Sequence, residues 1–190
     1  HPAHVGREDE IQRLVDTTHE KFGRIDLLVN NAGTNPTMSM LLDTSVEVWD
    51  KIFALNVRGY FLMSKFAVAQ MTDGGAIVNI SSTAGIRPMP GLGVYSVSKA
   101  AVIHLTKTMA FELASRKIRV NAIAPGLIKT KLSSALWENE AIYSEVMKHT
   151  PWIGWETRRR SPPPPATCSP TKPPTLQATP SSWTAAQPSE

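Results

Sequence analysis

The sequence predicts an α/β fold in which helices flank a parallel sheet, and three observations carry that prediction. Short apolar runs alternate with longer segments of helical periodicity between about residues 7 and 148. Strands separated by helices of that length need crossover connections, and crossovers build parallel sheets with helices on both faces. The short runs are nearly all apolar rather than alternating, the signature of strands covered on both sides. Most of the 15 prolines in the 190 residues lie after Thr150, so a patterned body precedes a different kind of chain.

The elements follow in order. Residues 8–22 place Ile11, Leu14, Val15 and Phe22 at helical spacing. Glu8, Asp9 and Glu10 fall in the first turn, where the helix dipole favours acids, and Gly23 provides a stop. Residues 25–30 read as a buried strand. A long helix spans about 45–71, opened by Thr44 or Ser45 and closed at Gly74-Gly75. Residues 76–80 form a second strand, 95–116 an Ala-rich helix and 118–123 a third strand. A polar helix over about 138–148 completes the pattern, and no internal repeat is found.

Beyond Thr150 the periodicity stops. Pro162-Pro163-Pro164-Pro165 stands in a segment dominated by Ser, Thr, Ala and Pro, with Ile153 and Leu176 its branched aliphatic residues. Such a stretch buries too little apolar surface to offset its chain entropy. The expected organisation is therefore a domain over 1–150 and a disordered tail over 151–190. A Pro-rich ligand for an SH3- or WW-like domain is the functional alternative, and no clear PxxP design supports it.

Composition narrows the function. A net charge of +4, with no dense basic cluster beyond Arg158-Arg159-Arg160, argues against nucleic acid. The single cysteine, Cys168, excludes an intramolecular disulfide framework and a multi-cysteine metal site, so no metal is expected. No apolar run of membrane-spanning length and no signal peptide stand out, which predicts no membrane and a cytoplasmic location. The chain ends in Pro-Ser-Glu, without a peroxisomal address.

The chemistry-bearing residues cluster around Tyr95-Ser96-Val97-Ser98-Lys99. A tyrosine and a lysine four apart share one helix face. A nearby ammonium favours the phenolate, which would bring the phenol's ordinary pKa of about 10 towards neutrality and make it a usable acid or base. Upstream, the strand 76–80 ends in Ser81-Ser82, placing hydroxyls where open α/β sheets bind ligands. Asn30-Asn31-Ala32-Gly33 closes the first strand with small residues that admit a ligand to the backbone. Asn56 lies inside the long helix, where an amide has poor propensity and needs a reason. Pro125-Gly126 ends the third strand and redirects the chain. Asn79-Ile80-Ser81 matches a glycosylation sequon but sits in a strand expected to be buried.

Taken together, Asn-Asn-Ala-Gly, Asn56, Ser82, Tyr95-x-x-x-Lys99 and Pro125-Gly126-Leu127-Ile128-Lys129-Thr130 resemble the short-chain dehydrogenase/reductase family over roughly residues 5–150. The resemblance implies a Rossmann-like doubly wound parallel sheet, NAD(P) as cofactor, and hydride transfer to a carbonyl or from a secondary alcohol. It implies Tyr95 as proton donor or acceptor, with Lys99 lowering its pKa and holding the nicotinamide ribose. Ser82, rather than Ser81, would hydrogen-bond the reacting oxygen, and Asn56 would hold a water connecting Lys99 to solvent. Asn30, Ala32, Gly33, Val57, Pro125, Gly126, Ile128 and Thr130 match cofactor-contacting positions. Residues 130–149 match a loop and helix covering the substrate. Thr34-Asn35-Pro36 and residues 47–51 look most like an NADP-dependent carbonyl and retinal reductase branch, which slightly favours NADP; 3-oxoacyl-carrier-protein reductases share much of the pattern. A homo-dimer or homo-tetramer through the two long helices is implied as well.

Two departures accompany the resemblance. The family's glycine-rich turn, T-G-x-x-x-G-I-G, does not occur, and Gly91-Leu92-Gly93 does not substitute for it. At about Trp152 the family pattern changes abruptly into the proline-rich segment, as a shifted reading frame would produce. The expected fold is therefore incomplete, with residues 25–30 and 118–123 at open sheet edges. An inactive chain that associates with intact relatives is the alternative function. Weak cofactor binding follows, and a low-micromolar dissociation constant in a fluorescence titration would contradict it.

Overall fold

In a computed structural model of the protein, the described residues are 2–128, 130–140 and 143–144. The expected helix over 138–148 lies largely outside them, and segment 151–190 wholly so. Helix α1 (Glu8–Phe22) leads into β1 (Ile25–Asn30). Then α2 (Val46–Phe53), a π-helical turn (Ala54–Arg58) and α3 (Gly59–Gln70) run on to β2 (Met71–Ile80). Helix α4 (Gly93–Glu112) precedes β3 (Arg119–Ile123), and a short α5 (Ser134–Trp137) follows. The strands form one parallel sheet in the order β1-β2-β3.

Local chemistry sets the boundaries. Gly23 adopts a left-handed φ of 75° and returns its N–H to the His19 carbonyl, ending α1. Ser45 caps α2 by accepting from the Val48 N–H. The helix expected over 45–71 is real but interrupted by the π-turn. It ends at Gln70, where the Arg116 guanidinium donates to the Val68 carbonyl at 2.9 Å and the Met71 carbonyl at 2.6 Å. Strand β2 therefore begins at Met71, ahead of the expected Ala76. Its early pairing is irregular, with a register shift opposite Ile25 and Leu27. Gly75 lies so close to β1 that an added Cβ would stand 3.0 Å from the Asp26 carbonyl oxygen.

The core is one cluster: Val15, Ile25, Met71, Ile77, Met109, Ile118 and Val120. Burying side chains of this size contributes about 1.5–3 kcal/mol each. In α1, Ile11 and Val15 point inward as expected, whereas Phe22 is exposed.

Helices on both sheet faces were expected; among the described residues they cover one. Register places Leu28, Asn30, Ile77, Asn79 and Val120 on the helix-covered face, with α1, α3 and α4 against it. On the other face Leu27 is 73% and Val29 61% exposed, so β1 is not buried on both sides. Continuously apolar residues encode a strand meant for two-sided cover, and here the second layer is not among the described elements. The expected open edges at β1 and β3 are likewise unpaired among the described residues.

A second correction concerns length. The helical run Val46–Gln70 spans 25 residues and contains an 18-residue window with a mean hydropathy of 1.2, which meets the length and composition of a membrane span. Beside the buried Ile52, Leu62 and Ala67, it carries buried polar groups bonded within the fold: Asn56 to Thr34 and Ser98, Tyr60 to Ile80 and Ser64 to Asn30.

A polar ladder crosses the covered face. The Asn30 amide donates to Ser64 Oγ at 3.0 Å and Asn79 Oδ1 at 2.9 Å; the Asn79 amide donates to Thr106 Oγ1 at 2.9 Å. The Thr106 hydroxyl in turn donates to the Val102 carbonyl. The ladder ties α3, β1, β2 and α4 together, and buries the sequon asparagine completely. Replacing Asn79 with Ala leaves the Asn30 amide one acceptor short and the Thr106 hydroxyl oxygen without its donor, so Asn79→Ala is expected to destabilise the fold by about 2–4 kcal/mol in urea unfolding. A loss below about 1 kcal/mol would show that the ladder contributes little.

Candidate active site

Parallel strands leave their last carbonyls at one end of the sheet, and the candidate residues gather there. The Ile80 carbonyl at the end of β2 accepts from Lys99 Nζ at 2.8 Å and from the Tyr60 hydroxyl at 3.1 Å. Ser81 turns inward, its hydroxyl donating to the Lys99 carbonyl at 2.8 Å. The following residue, Ser82, faces the phenol of Tyr95 and accepts from the Ala84 N–H. Gly85 lies against α4, where an added Cβ would come within 2.6 Å of the Lys99 carbonyl carbon. The turn after β2 is thus fastened to the part of α4 that carries Tyr95 and Lys99.

Lys99 is buried, its Nζ 5.4 Å from the Tyr60 ring centre and 5.7 Å from that of Tyr95. Burial lowers its pKa to about 8, because an ammonium loses hydration there. The Tyr95 phenol is pushed upward by burial, and a hydrogen bond from Ser82 partly opposes the rise. This differs from the expected depression by Lys99. In this arrangement the ammonium is bonded to the Ile80 carbonyl and faces the tyrosine ring.

Asn56 explains its place in a helix. Its Oδ1 accepts from the Thr34 N–H at 2.8 Å, and its Nδ2 donates to the Thr34 carbonyl at 3.0 Å and to Ser98 Oγ at 3.1 Å. Ser98 in turn donates to the Tyr95 carbonyl at 2.7 Å. The amide is a clamp that joins the loop after β1 to α4. The π-turn around Asn56 is a conformation often found at functional sites.

The remaining candidates divide. Gly33 lies over the cluster, and an added Cβ would stand 3.3 Å from Asn56 Oδ1 and 3.5 Å from Lys99 Nζ. Ala32 beside it is exposed. The Asn30 side chain is committed to the ladder and buried, so it is not presented to a ligand. Val57 lines a shallow cleft with Asp50, Phe53, Arg58, Phe61 and Leu105. Pro125 follows β3, where its carbonyl accepts from the Thr83 N–H at 3.0 Å; Gly126 beside it is exposed. The Ile128 carbonyl accepts from Ser133 Oγ, and Thr130 opens the next turn through the same hydroxyl. Lys129 lies outside the described residues.

Sequence reasoning missed Tyr60, Thr34 and Ser98. Tyr60 stands four residues after Asn56 and Ser98 three after Tyr95, so both were within reach of a helical-face argument. Asn56→Ala removes three hydrogen bonds and strands both backbone groups of Thr34. It is expected to cost about 2–4 kcal/mol in urea unfolding and to speed amide exchange at Thr34. Unchanged exchange at Thr34 would remove the clamp.

The chain spans about half the length of the curated relatives it matches. It is 49% identical to dehydrogenase/reductase SDR family member 4 of Oryctolagus cuniculus over 140 residues, covering 73% of this chain and 54% of that protein. Among solved structures, a short-chain type dehydrogenase/reductase from Mycobacterium ulcerans superposes with a TM-score of 0.78 at 34% identity, covering 83% of this chain and 58% of that one. A gluconate 5-dehydrogenase from Burkholderia cenocepacia J2315, in complex with NADP and tartrate, gives a TM-score of 0.76 at 30% identity, over 80% and 60% of the two chains. An NAD+-bound xylitol dehydrogenase gives 0.74 at 29% identity, over 83% and 66%. The family pattern described as enoyl-(acyl carrier protein) reductase matches residues 1–159. With the Tyr95–Lys99 pair at the carboxyl end of a parallel sheet, these likenesses agree: the chain belongs to the short-chain dehydrogenase/reductase family.

Proposed function

We propose that this chain carries the proton-transfer side of a hydride exchange between NAD(P)(H) and a carbonyl or secondary alcohol. The observation behind the proposal is the convergence of Ser82, Tyr95 and Lys99 at the end of β2. Gly33 supports the nicotinamide-ribose end of the site: it roofs Lys99 and Asn56 with no side chain of its own, and a Cβ there would crowd both. Lys99 would hold the ribose, and Ala32 and Gly126 would admit the cofactor to exposed backbone. When bound, the nicotinamide supplies or accepts the hydride. NADP is favoured slightly over NAD by the subfamily likeness.

In the reducing direction Tyr95 Oη gives its proton to the substrate oxygen. Burial keeps the phenol protonated near neutrality, which suits a proton donor. The Ser82 hydroxyl supports the developing charge on that oxygen and then on the phenolate. Lys99 stabilises the phenolate through its positive charge, reaching it by swinging from the Ile80 carbonyl. In the oxidising direction the phenolate takes the alcohol proton. Atoms balance as one hydride and one proton added to, or removed from, the C–O unit.

Two further readings attach to other surfaces. Exposed Phe61 and Phe111, with the cleft beside Val57, support self-association through α2, α3 and α4. The bare sheet face at Leu27 and Val29 supports the alternative of an inactive chain that associates with intact relatives.

NADPH oxidation with a panel of small ketones separates enzyme from inactive partner. Activity that falls by about 100-fold or more in Tyr95→Phe is the expected result. Turnover preserved in Tyr95→Phe would overturn the assigned proton donor.

A further inference from the structure

Lys99 shares its carbonyl with a second donor that the proposed reaction does not use. Tyr60 is only 2% exposed, and its ring centre stands 5.4 Å from the ammonium, with that of Tyr95 at 5.7 Å. Its hydroxyl donates at 3.1 Å to the same Ile80 oxygen that Lys99 holds at 2.8 Å. A carbonyl oxygen has two lone pairs, and each donor it accepts makes it a weaker acceptor for the other. Tyr60 reaches this point because the π-turn over Ala54–Arg58 immediately precedes α3, which it opens beside Gly59. Gly59 itself lies against the Val5 carbonyl, where a Cβ would meet oxygen at 2.6 Å, so the start of α3 has little room to shift.

We propose that Tyr60 is a positioning residue for Lys99: by sharing the Ile80 carbonyl it loosens the tether that holds the ammonium away from the Tyr95 hydroxyl. The inference rests on the reading of Tyr95 and Lys99 as the reacting pair. The groups against the ammonium are the Tyr60 phenol from α3, the Tyr95 phenol from α4 and the carbonyl from β2. Among the described residues no ion pair includes Lys99. With no carboxylate on it, the carbonyl's strength as an acceptor sets how firmly the charge is held.

The sign follows. Without the Tyr60 hydroxyl, Ile80 becomes a better acceptor for Lys99 and the charged form is favoured. In the full chain labelled with [13Cε]lysine and assigned by Lys99→Met, Tyr60→Phe is expected to raise the Lys99 midpoint by about half a unit. That is a threefold change in proton affinity. The turnover rate should fall about threefold with the ketone KM little changed. If Tyr60→Phe does not fold, 3-fluorotyrosine in a Tyr95→Phe, Tyr143→Phe chain makes Tyr60 the sole tyrosine and a stronger donor, and the midpoint should fall instead. A midpoint unmoved, or moved the other way, overturns the proposal. The NMR titration needs no turnover, so loss of the oxidoreductase reading would appear separately, as absent activity with the midpoint shift intact.

Discussion

Two asparagines without access to water fix the geometry on which the rest of this fold depends. Asn30 and Asn79 lie paired on adjacent strands beneath α3 and α4, and each carries donors that must find a partner inside the protein. An apolar sheet face would let helices slide by a fraction of a turn at little cost, whereas an amide left unpaired costs about 1–3 kcal/mol. The ladder through Ser64 and Thr106 therefore sets the position of both helices relative to the strands. Asn30 and Asn79 stand at or next to the last residues of β1 and β2, so the ladder also sets the end of the sheet where the chemistry gathers.

Above the ladder, a second set of bonds holds the site. Asn56 spans from the backbone of Thr34 to Ser98, Ser98 to the Tyr95 carbonyl, and Ser81 to the Lys99 carbonyl. None of these bonds ends on the Tyr95 hydroxyl or the Lys99 ammonium. The Tyr95 hydroxyl and the Lys99 ammonium thus stay adjustable while the chain carrying them is held. The two groups start in contrasting states. Burial disfavours charge on both, keeping the phenol protonated and easing proton loss from the amine.

The same sheet is one-sided. Its helix-covered face holds the core and the site, and its opposite face leaves Leu27 and Val29 in solvent. An apolar face next to open strand edges favours association, because burying it returns about 25 cal/mol for each Å² covered. The exposed phenylalanines on α3 and α4 add a second apolar surface. The exposed apolar surfaces and the candidate site therefore lie on different parts of the described fold.

Much of this was legible in the residues. The order of helices and strands followed from period and length, because helical and extended chains repeat at different intervals along any sequence. Gly23 and Ser45 marked helix ends through local chemistry, and Tyr95, Lys99 and Ser82 were recognisable from their spacing. What needed the tertiary structure was every feature set by partners far apart in the chain. Asn79, expected to be buried in its strand, proved to be a rung of the ladder, and the Asn56 side chain proved to clamp Thr34, twenty-two residues away. Apolar strands state that two faces can be covered, but only packing decided that one of them is. The spacing of Tyr60 from Asn56 was legible, but its meeting with Lys99 at the Ile80 carbonyl depends on three separate elements converging. Periodicity is a local property of the chain, whereas the partner of a buried polar group is chosen by the fold.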